Sequence, residues 1–260
     1  MNRIEERLKE NKVKKKKSFI TYITAGLPDM EGMKGLIHTQ ELAGVDVIEL
    51  GVPFSDPVAD GEVIQKASQK SIEQGTNIKG IFQAVKQLRQ EGSQVPLVFM
   101  MYYNTILTYG ITEFVKSCKT TGVDGLIVPD LPMEEQQELQ EALEQEEGPI
   151  LIQLVSPVSK DRIKFIVKKG KGFIYCVSSM GVTGGGSFYN KVKDYLMEVR
   201  KSTDLPIMMG FGIKEPKDVE PYMDVIDGAI VGSHFIRLME ESSYNRNKAK
   251  EYIENFKAQL

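Results

Sequence analysis

At 260 residues the chain is long enough to bury a full core, either as one barrel-sized domain or as two smaller ones. Hydrophobic residues make up 41% and charged ones 27%, an ordinary balance for a water-soluble protein, and the net charge of -3 gives no reason to expect nucleic acid or an anionic membrane as partner. No apolar run reaches the ~20 residues of a membrane span and the N-terminus has no signal-peptide core, so a cytoplasmic protein is expected.

In chain order, the pattern over residues 4–12 predicts a short leading helix. Lys14, Lys15, Lys16 and Lys17 follow, and overall acidity favours a solvated face there over a nucleic-acid patch. Short apolar runs then recur over 19–24, 45–51, 95–101, 125–128, 150–155, 173–177, 207–210 and 228–231. Between them the apolar period turns helical: Ile78, Ile81, Phe82 and Val85 form one stripe, and Ile111, Phe114, Val115 and Cys118 another. Val192, Tyr195, Leu196 and Val199 repeat it, as do Ala249, Tyr252, Ile253 and Phe256. An acidic helix is expected over 133–147 and a basic one over 160–169, able to attract one another weakly across the surface. Eight strands alternating with eight helices, with no linker or break in composition, predict a (β/α)₈ TIM barrel occupying 1–260 as one domain, with a short extra N-terminal helix. A doubly wound open sheet is the alternative.

The stretch 45–61, VDVIELGVPFSDPVADG, carries the densest chemistry. A strand buried on both faces should be almost continuously apolar, so Glu49 within it is costly unless it has a task. A desolvated carboxylate holds its proton to higher pH and so can deliver it. Asp60 offers a second acid from the following loop, and two carboxylates in unlike surroundings suit acid–base work. The plainer alternatives are a structural ion pair for Glu49 and capping of the next helix by Asp56 or Asp60. Cys118 and Cys176 form no CxxC pair, only His38 and His234 are present, and no GxSxG occurs. Disulfides, a His-rich metal site and a Ser-His-Asp triad are therefore not expected, and catalysis would rest on carboxylates and phenols.

Glycines gather after the last three apolar runs. Gly212 and Ile213 follow the seventh, and Gly232 and Ser233 follow the eighth and lead into a helix. Backbone amides at such a helix start, approached closely past glycine, are a barrel's usual means of holding phosphate. The loop after the sixth run, with Gly181, Thr183 and Gly184, has the make-up of a lid or of a loose surface loop. Tyr175 reads first as a core aromatic. Tyr22, Met100, Ile127 and Pro129 are core candidates too, but at strand ends they would line a flat apolar pocket between the acids and the phosphate site.

The segments ITAGLPD, ELGVPFSDPVADG, MMYYN, LIVPDLP, YCVSSMGVTG, GFGI and VGSHF run in order along the whole chain and together resemble the alpha subunit of tryptophan synthase. The resemblance implies cleavage of indole-3-glycerol phosphate to indole and glyceraldehyde 3-phosphate. Carried over by position, Glu49 and Asp60 are the catalytic pair and Tyr175 an active-site neighbour. No lysine stands at an inward strand end and no metal cluster is seen, so the indole ring would be its own electron sink. Glu49 would protonate indole C3 and Asp60 would steady the ring N–H, with a Glu49 pKa of roughly 6 to 7 suiting the task.

By the same resemblance no cofactor belongs to this chain; pyridoxal phosphate is expected only in a beta-subunit partner within an α₂β₂ assembly. Docking is assigned to the rim at Pro53, Phe54, Asp56, Tyr103 and Asn104, although apolar groups there could equally fold inward. Ser179 stands where many relatives carry arginine, and Gly185 and Gly186 make the lid unusually glycine-rich. Three competitors stand beside this function: a free-standing lyase, a phosphate-binding activator without catalysis, and another phosphosugar barrel enzyme such as an isomerase. The long motif from Glu49 disfavours the last.

Overall fold

The computed structural model describes residues 2–177 and 186–260. Nine short strands form one all-parallel sheet in the order β5-β4-β3-β2-β1-β9-β8-β7-β6. They are β1 (Ser18–Thr24), β2 (Val47–Gly51), β3 (Leu97–Met100), β4 (Gly125–Ile127), β5 (Ile150–Leu151), β6 (Gln153–Val155), β7 (Ile174–Val177), β8 (Ile207–Gly210) and β9 (Gly228–Val231). The extra strand arises because the fifth predicted run is split at Ile152. Its first half pairs with β4 and its second with β7, while the Ile152 amide donates to the Leu126 carbonyl at 2.9 Å. The ring of eight positions therefore closes through Ile152, giving the expected barrel.

Two strand starts fall later than their apolar runs. The run from Val95 becomes a strand only at Leu97, because Pro96 has no amide to donate. The run from Val45 becomes one at Val47, because the Asp46 carboxylate is committed to the Phe19 amide at 2.8 Å.

Side chains alternate between two cores. Phe19, Ile48, Phe99 and Cys176 face outward onto the helices. Ile20, Val47, Val98, Ile127, Phe173 and Tyr175 face the barrel interior. Helix α1 (Arg3–Val13) completes that interior from the N-terminal end by burying Ile4 and Leu8 in it, and Asn2 caps its start.

The outer layer comprises α2 (Met30–Leu42), α3 (Glu62–Glu73), α4 (Ile78–Gln90), α5 (Tyr103–Tyr109), α6 (Ile111–Thr121), α7 (Gln137–Gln145), α8 (Ile163–Lys168), α9 (Gly186–Ser202), α10 (Ser233–Glu241) and α11 (Arg246–Lys257). The expected stripes are buried in α4, α6, α9 and α11, with Ile78, Ile111 and Tyr252 at their edges. Three helical expectations change. The acidic helix opens as a 3-10 turn (Met133–Glu135), and the basic one opens as a 3-10 segment (Pro157–Arg162) that leaves α8 short. After β8 the chain makes only two 3-10 turns, with Pro216 and Pro221 at their starts. The attraction between the acidic and basic segments is realised as an Arg162–Glu134 ion pair at 2.6 Å. Among the described residues no helix is long and apolar enough to cross a membrane.

The barrel's N-terminal face is locked three times by one device. Asp46, Asp124 and Asp227 each precede a strand and accept the amide of a residue in the neighbouring strand: Phe19, Leu97 and Ile207. Each carboxylate is neutralised from the outer layer, by Lys257, Arg89 and Arg200 respectively. This chemistry stands at the opposite end from Glu49, as expected where the N-terminal face serves stability.

Candidate active site

Period two places Glu49 on the same side of β2 as Val47, hence inside the barrel, near the strand's C-terminal end. Its side chain is 1% exposed and, among the described residues, neither carboxyl oxygen has a hydrogen-bond partner. Burial alone pushes its pKa up to about 8, so the group is largely protonated at neutral pH. That is somewhat above the 6 to 7 anticipated, and it favours proton donation. Among the described residues no ion pair holds this acid, which leaves the plainer alternative for it without support.

Asp60 reaches the same cavity from the loop after β2. The N-cap of α3 is Gly61, without a side-chain cap, so Asp60 is not spent on the helix start. The loop is held by its own turns, Val58 donating to the Asp56 carbonyl at 2.9 Å and Asp60 to the Pro57 carbonyl at 3.1 Å. It is also held by Tyr102, whose hydroxyl accepts the Ala59 amide at 2.9 Å beside Asp60. Burial raises the Asp60 pKa, and the nearby Tyr102 hydroxyl opposes that rise. Phe54 stacks on Tyr102 with ring centroids 5.0 Å apart. Asp56 is exposed and bonded to the neighbouring Ser55 hydroxyl.

A cavity of about 230 Å³ joins the two acids. Tyr22, opposite Glu49 in the β1–β2 register, Met100 and Tyr175 form its inner wall. Ile64, Phe211 and Ile230 extend the apolar lining. Tyr22 is packed so closely on Gly51 that a Cβ there would overlap its hydroxyl. Phe211 meets the Tyr175 ring edge-on at 6.4 Å, and its backbone is left-handed, with φ 75°. Gly212 continues that left-handed turn with φ 76° and turns the chain back toward the cavity.

The far end of the cavity is walled by Gly212, Ile213, Gly232 and Ser233. Gly232 is the N-cap of α10, has no side chain to satisfy the first turn, and accepts the Ile236 amide at 3.1 Å. The amides of Ser233 and His234 have no acceptor within the helix and lie at its positive dipole end, an arrangement suited to phosphate.

The structure brings Glu49, Asp60, Tyr22, Met100, Tyr175, Gly212, Ile213, Gly232 and Ser233 around this one cavity. Two residues anticipated for the pocket stand elsewhere. Ile127, the register partner of Met100, is fully buried in the barrel interior and does not line the cavity. Pro129 is half-buried and does not line the cavity. Gly181, Thr183 and Gly184, with Ser179 and Gly185, lie outside the described residues. On the rim, Asn104 is exposed while Pro53, Phe54 and Tyr103 are half-buried; Ile106 folds inward and Leu107 outward.

Residues not singled out from the sequence complete the site. Tyr102 holds the Asp60 loop through the Ala59 amide, 43 positions away, a separation no local pattern reveals. Lys214, His234 and Arg237 wall the phosphate-like end. The i, i+3 spacing of His234 and Arg237 just after Ser233 is a signal that would have placed them together.

A parallel barrel whose C-terminal rim sets a buried, proton-bearing acid and a loop aspartate against an apolar slot closed by glycine amides defines an acid–base enzyme site for a phosphorylated, largely apolar ligand. The family model of the tryptophan synthase alpha chain matches residues 8–260, and this chain belongs to that family. It is 54% identical to the tryptophan synthase alpha chain of Lachnospira eligens, over all of this chain and 99% of that one. It is 44% identical to that of Alkaliphilus metalliredigens, over 96% of this chain and 94% of the relative. Among solved structures, tryptophan synthase subunit alpha from Legionella pneumophila str. Paris superposes with a TM-score of 0.91 at 31% identity, covering all of this chain and 98% of that one. A chain of the aminoacrylate-bound tryptophan synthase from M. tuberculosis matches with a TM-score of 0.88 at 26% identity, each chain fully covered.

Proposed function

We propose that the chain is a lyase that cleaves indole-3-glycerol phosphate to indole and D-glyceraldehyde 3-phosphate, the alpha reaction of tryptophan biosynthesis. The observation that carries it is Glu49: an acid without a partner, protonated at neutral pH by burial alone, facing Asp60 over an apolar slot.

The indole ring lies in the slot between the aromatic and aliphatic walls, and the phosphate rests on the amides at Gly212, Ile213, Gly232 and Ser233. Glu49 gives its proton to indole C3, and the electrons of the enamine move onto that new C–H bond to leave a cationic indolenine. Asp60, ionised, accepts the ring N–H and stabilises the positive charge. The Glu49 carboxylate, newly formed in an apolar wall, is a strong base and takes the proton of the hydroxyl on the carbon attached to C3. That carbon becomes the aldehyde, and the pair of the breaking C–C bond returns to the ring as C=N is lost. Glu49 ends protonated, so no net proton is consumed, and Tyr175 and Tyr22 help exclude water from the exchange.

Indole is passed to a pyridoxal-phosphate-dependent beta subunit docked on the rim that carries Pro53, Phe54, Asp56, Tyr103 and Asn104, in an α₂β₂ complex. Support for a docked rim comes from Val58, 85% exposed on the loop that Tyr102 holds through Ala59, and Leu107, 49% exposed on α5 just after Tyr102. The loop holding Gly181, Thr183 and Gly184 serves as the lid, and the chain itself holds no cofactor.

The test is indole release from indole-3-glycerol phosphate by the purified chain, alone and with a cognate beta subunit. Slow release that accelerates strongly with the partner is expected. Fast release indifferent to the partner would assign a free-standing lyase, and no indole in either case would overturn the substrate.

A further inference from the structure

The phosphate end of the cavity is walled by more than amides: Lys214, His234 and Arg237 stand around it. Lys214 has a pinned backbone. Its amide donates to the Asp218 carboxylate at 2.8 Å, and its carbonyl accepts the Tyr252 hydroxyl at 2.7 Å. Its ammonium, by contrast, makes no salt bridge among the described residues. Arg237 stands one turn into α10 and makes none either.

Most of the acids nearby are already committed; Glu241, one turn along α10 from Arg237, makes no salt bridge among the described residues but acts on His234. Glu62 on α3, close enough to feel Arg237, is bound by Lys66 at 2.6 Å. Glu215 is bound by Lys217, and the Asp218 carboxylate accepts the amides of both Lys214 and Glu215. The rim cation Arg162, in contrast, has its own acid in Glu134. At this end of the cavity two cations are left over, and both bear on one point. The His234 imidazole is held below its ordinary range first by burial, then by Lys214 and by Arg237, while Glu241 and Asp218 pull the other way. Two uncommitted positive charges converging on a wall of free amides leave a deficit that a dianion fills. Both side chains are exposed, so they can meet that anion without a large desolvation penalty.

We infer that Lys214 and Arg237 form a side-chain capture site for the doubly ionised phosphate, flanking the backbone cradle, and that they set substrate affinity and its salt dependence while the chemistry stays with Glu49. This rests on the phosphate assignment of the Proposed function. It adds the groups that select a dianion over a neutral or singly charged ligand, by a field acting before contact as well as on it.

The experiment uses the full chain with Lys214→Gln and Arg237→Gln combined, and reads indole release together with calorimetric binding of inorganic phosphate. Both are measured at about 0.01 and 0.15 M salt, over which the screening length falls from about 30 to about 8 Å. The double variant should raise KM by about five- to tenfold with little change in kcat, weaken phosphate binding by a similar factor, and flatten the salt dependence of both. Lys214→Arg with Arg237→Lys should recover most of the lost affinity, which a merely structural role would not predict. Unchanged KM, phosphate affinity and salt slope in the neutral double variant would overturn the inference while leaving the lyase assignment standing. Salt-dependent phosphate binding lost in the variant, in a wild-type chain that releases no indole, would support the capture site and sink the substrate instead.

Discussion

Replacing Glu49 by Gln should make the protein more stable and nearly inactive, with a stability gain that grows with pH. The folded carboxyl keeps its proton up to about pH 8, whereas in the unfolded chain it releases it near 4.5. Between those values the unfolded state binds fewer protons than the native one, so stability falls as pH rises, and it falls no further above pH 8. The difference corresponds to about 5 kcal/mol over the full window and about 3 kcal/mol at pH 7. Gln has nearly the same shape and no charge to desolvate. At pH 5 the variant and parent should therefore differ little, while at pH 8 the variant should resist urea better by a few kcal/mol. The amide also needs partners that this wall does not offer, so the gain should fall short of the full figure. Turnover of indole-3-glycerol phosphate should fall by about 10²- to 10⁴-fold, the usual contribution of a general acid and base. Urea melts of both proteins at pH 5, 6, 7 and 8, with indole release at each, test the two halves separately. A stability difference that does not widen with pH would refute the burial argument, and near-normal turnover would refute the role.

Tyr102→Phe keeps the stack on Phe54 but removes the hydroxyl that holds the Ala59 amide and lowers the Asp60 pKa. The acid limb of the pH–rate profile should move to higher pH with a several-fold loss of kcat; an unmoved limb would dissociate Tyr102 from Asp60. Gly51→Ala forces the Tyr22 hydroxyl aside and should cut kcat/KM by at least an order of magnitude, with Tyr22→Phe added to it restoring part of the loss. Asp124→Asn leaves Arg89 and Arg3 facing a neutral amide at the barrel's stable end. It should lower unfolding stability by about 3 kcal/mol in urea melts, as expected for a broken buried pair, while KM and kcat of the surviving fold stay as they were.

How far the sequence carried the structure can be seen at particular residues. The apolar runs became strands because parallel strands covered on both faces need almost continuous Val, Ile and Leu, a pattern with few other solutions. The break at Ile152 was not legible: Ile150 to Val155 looks like any other run, and its division follows from which neighbour each half meets when the ring closes. The 3-10 turns after β8 were partly legible, since Pro216 and Pro221 stand where a helix would have needed amides. In the site, Gly212 and Gly232 were readable as a pair because glycine after a strand and before a helix has few purposes. Ile127 and Pro129 do not line the cavity, although Ile127 pairs with Met100, which does.

What the sequence by itself determined is the barrel, the depth of Glu49 within a strand and the ligand-facing end at which it sits, because period, polarity and chain order are local quantities. What only the tertiary structure decided is that, among the described residues, no group hydrogen-bonds the Glu49 carboxylate, that Tyr102 holds the Asp60 loop through Ala59, and that Lys214 and Arg237 make no salt bridge beside the same cavity. Each of these depends on groups far apart in the chain, and on which partners are already taken once the barrel has closed.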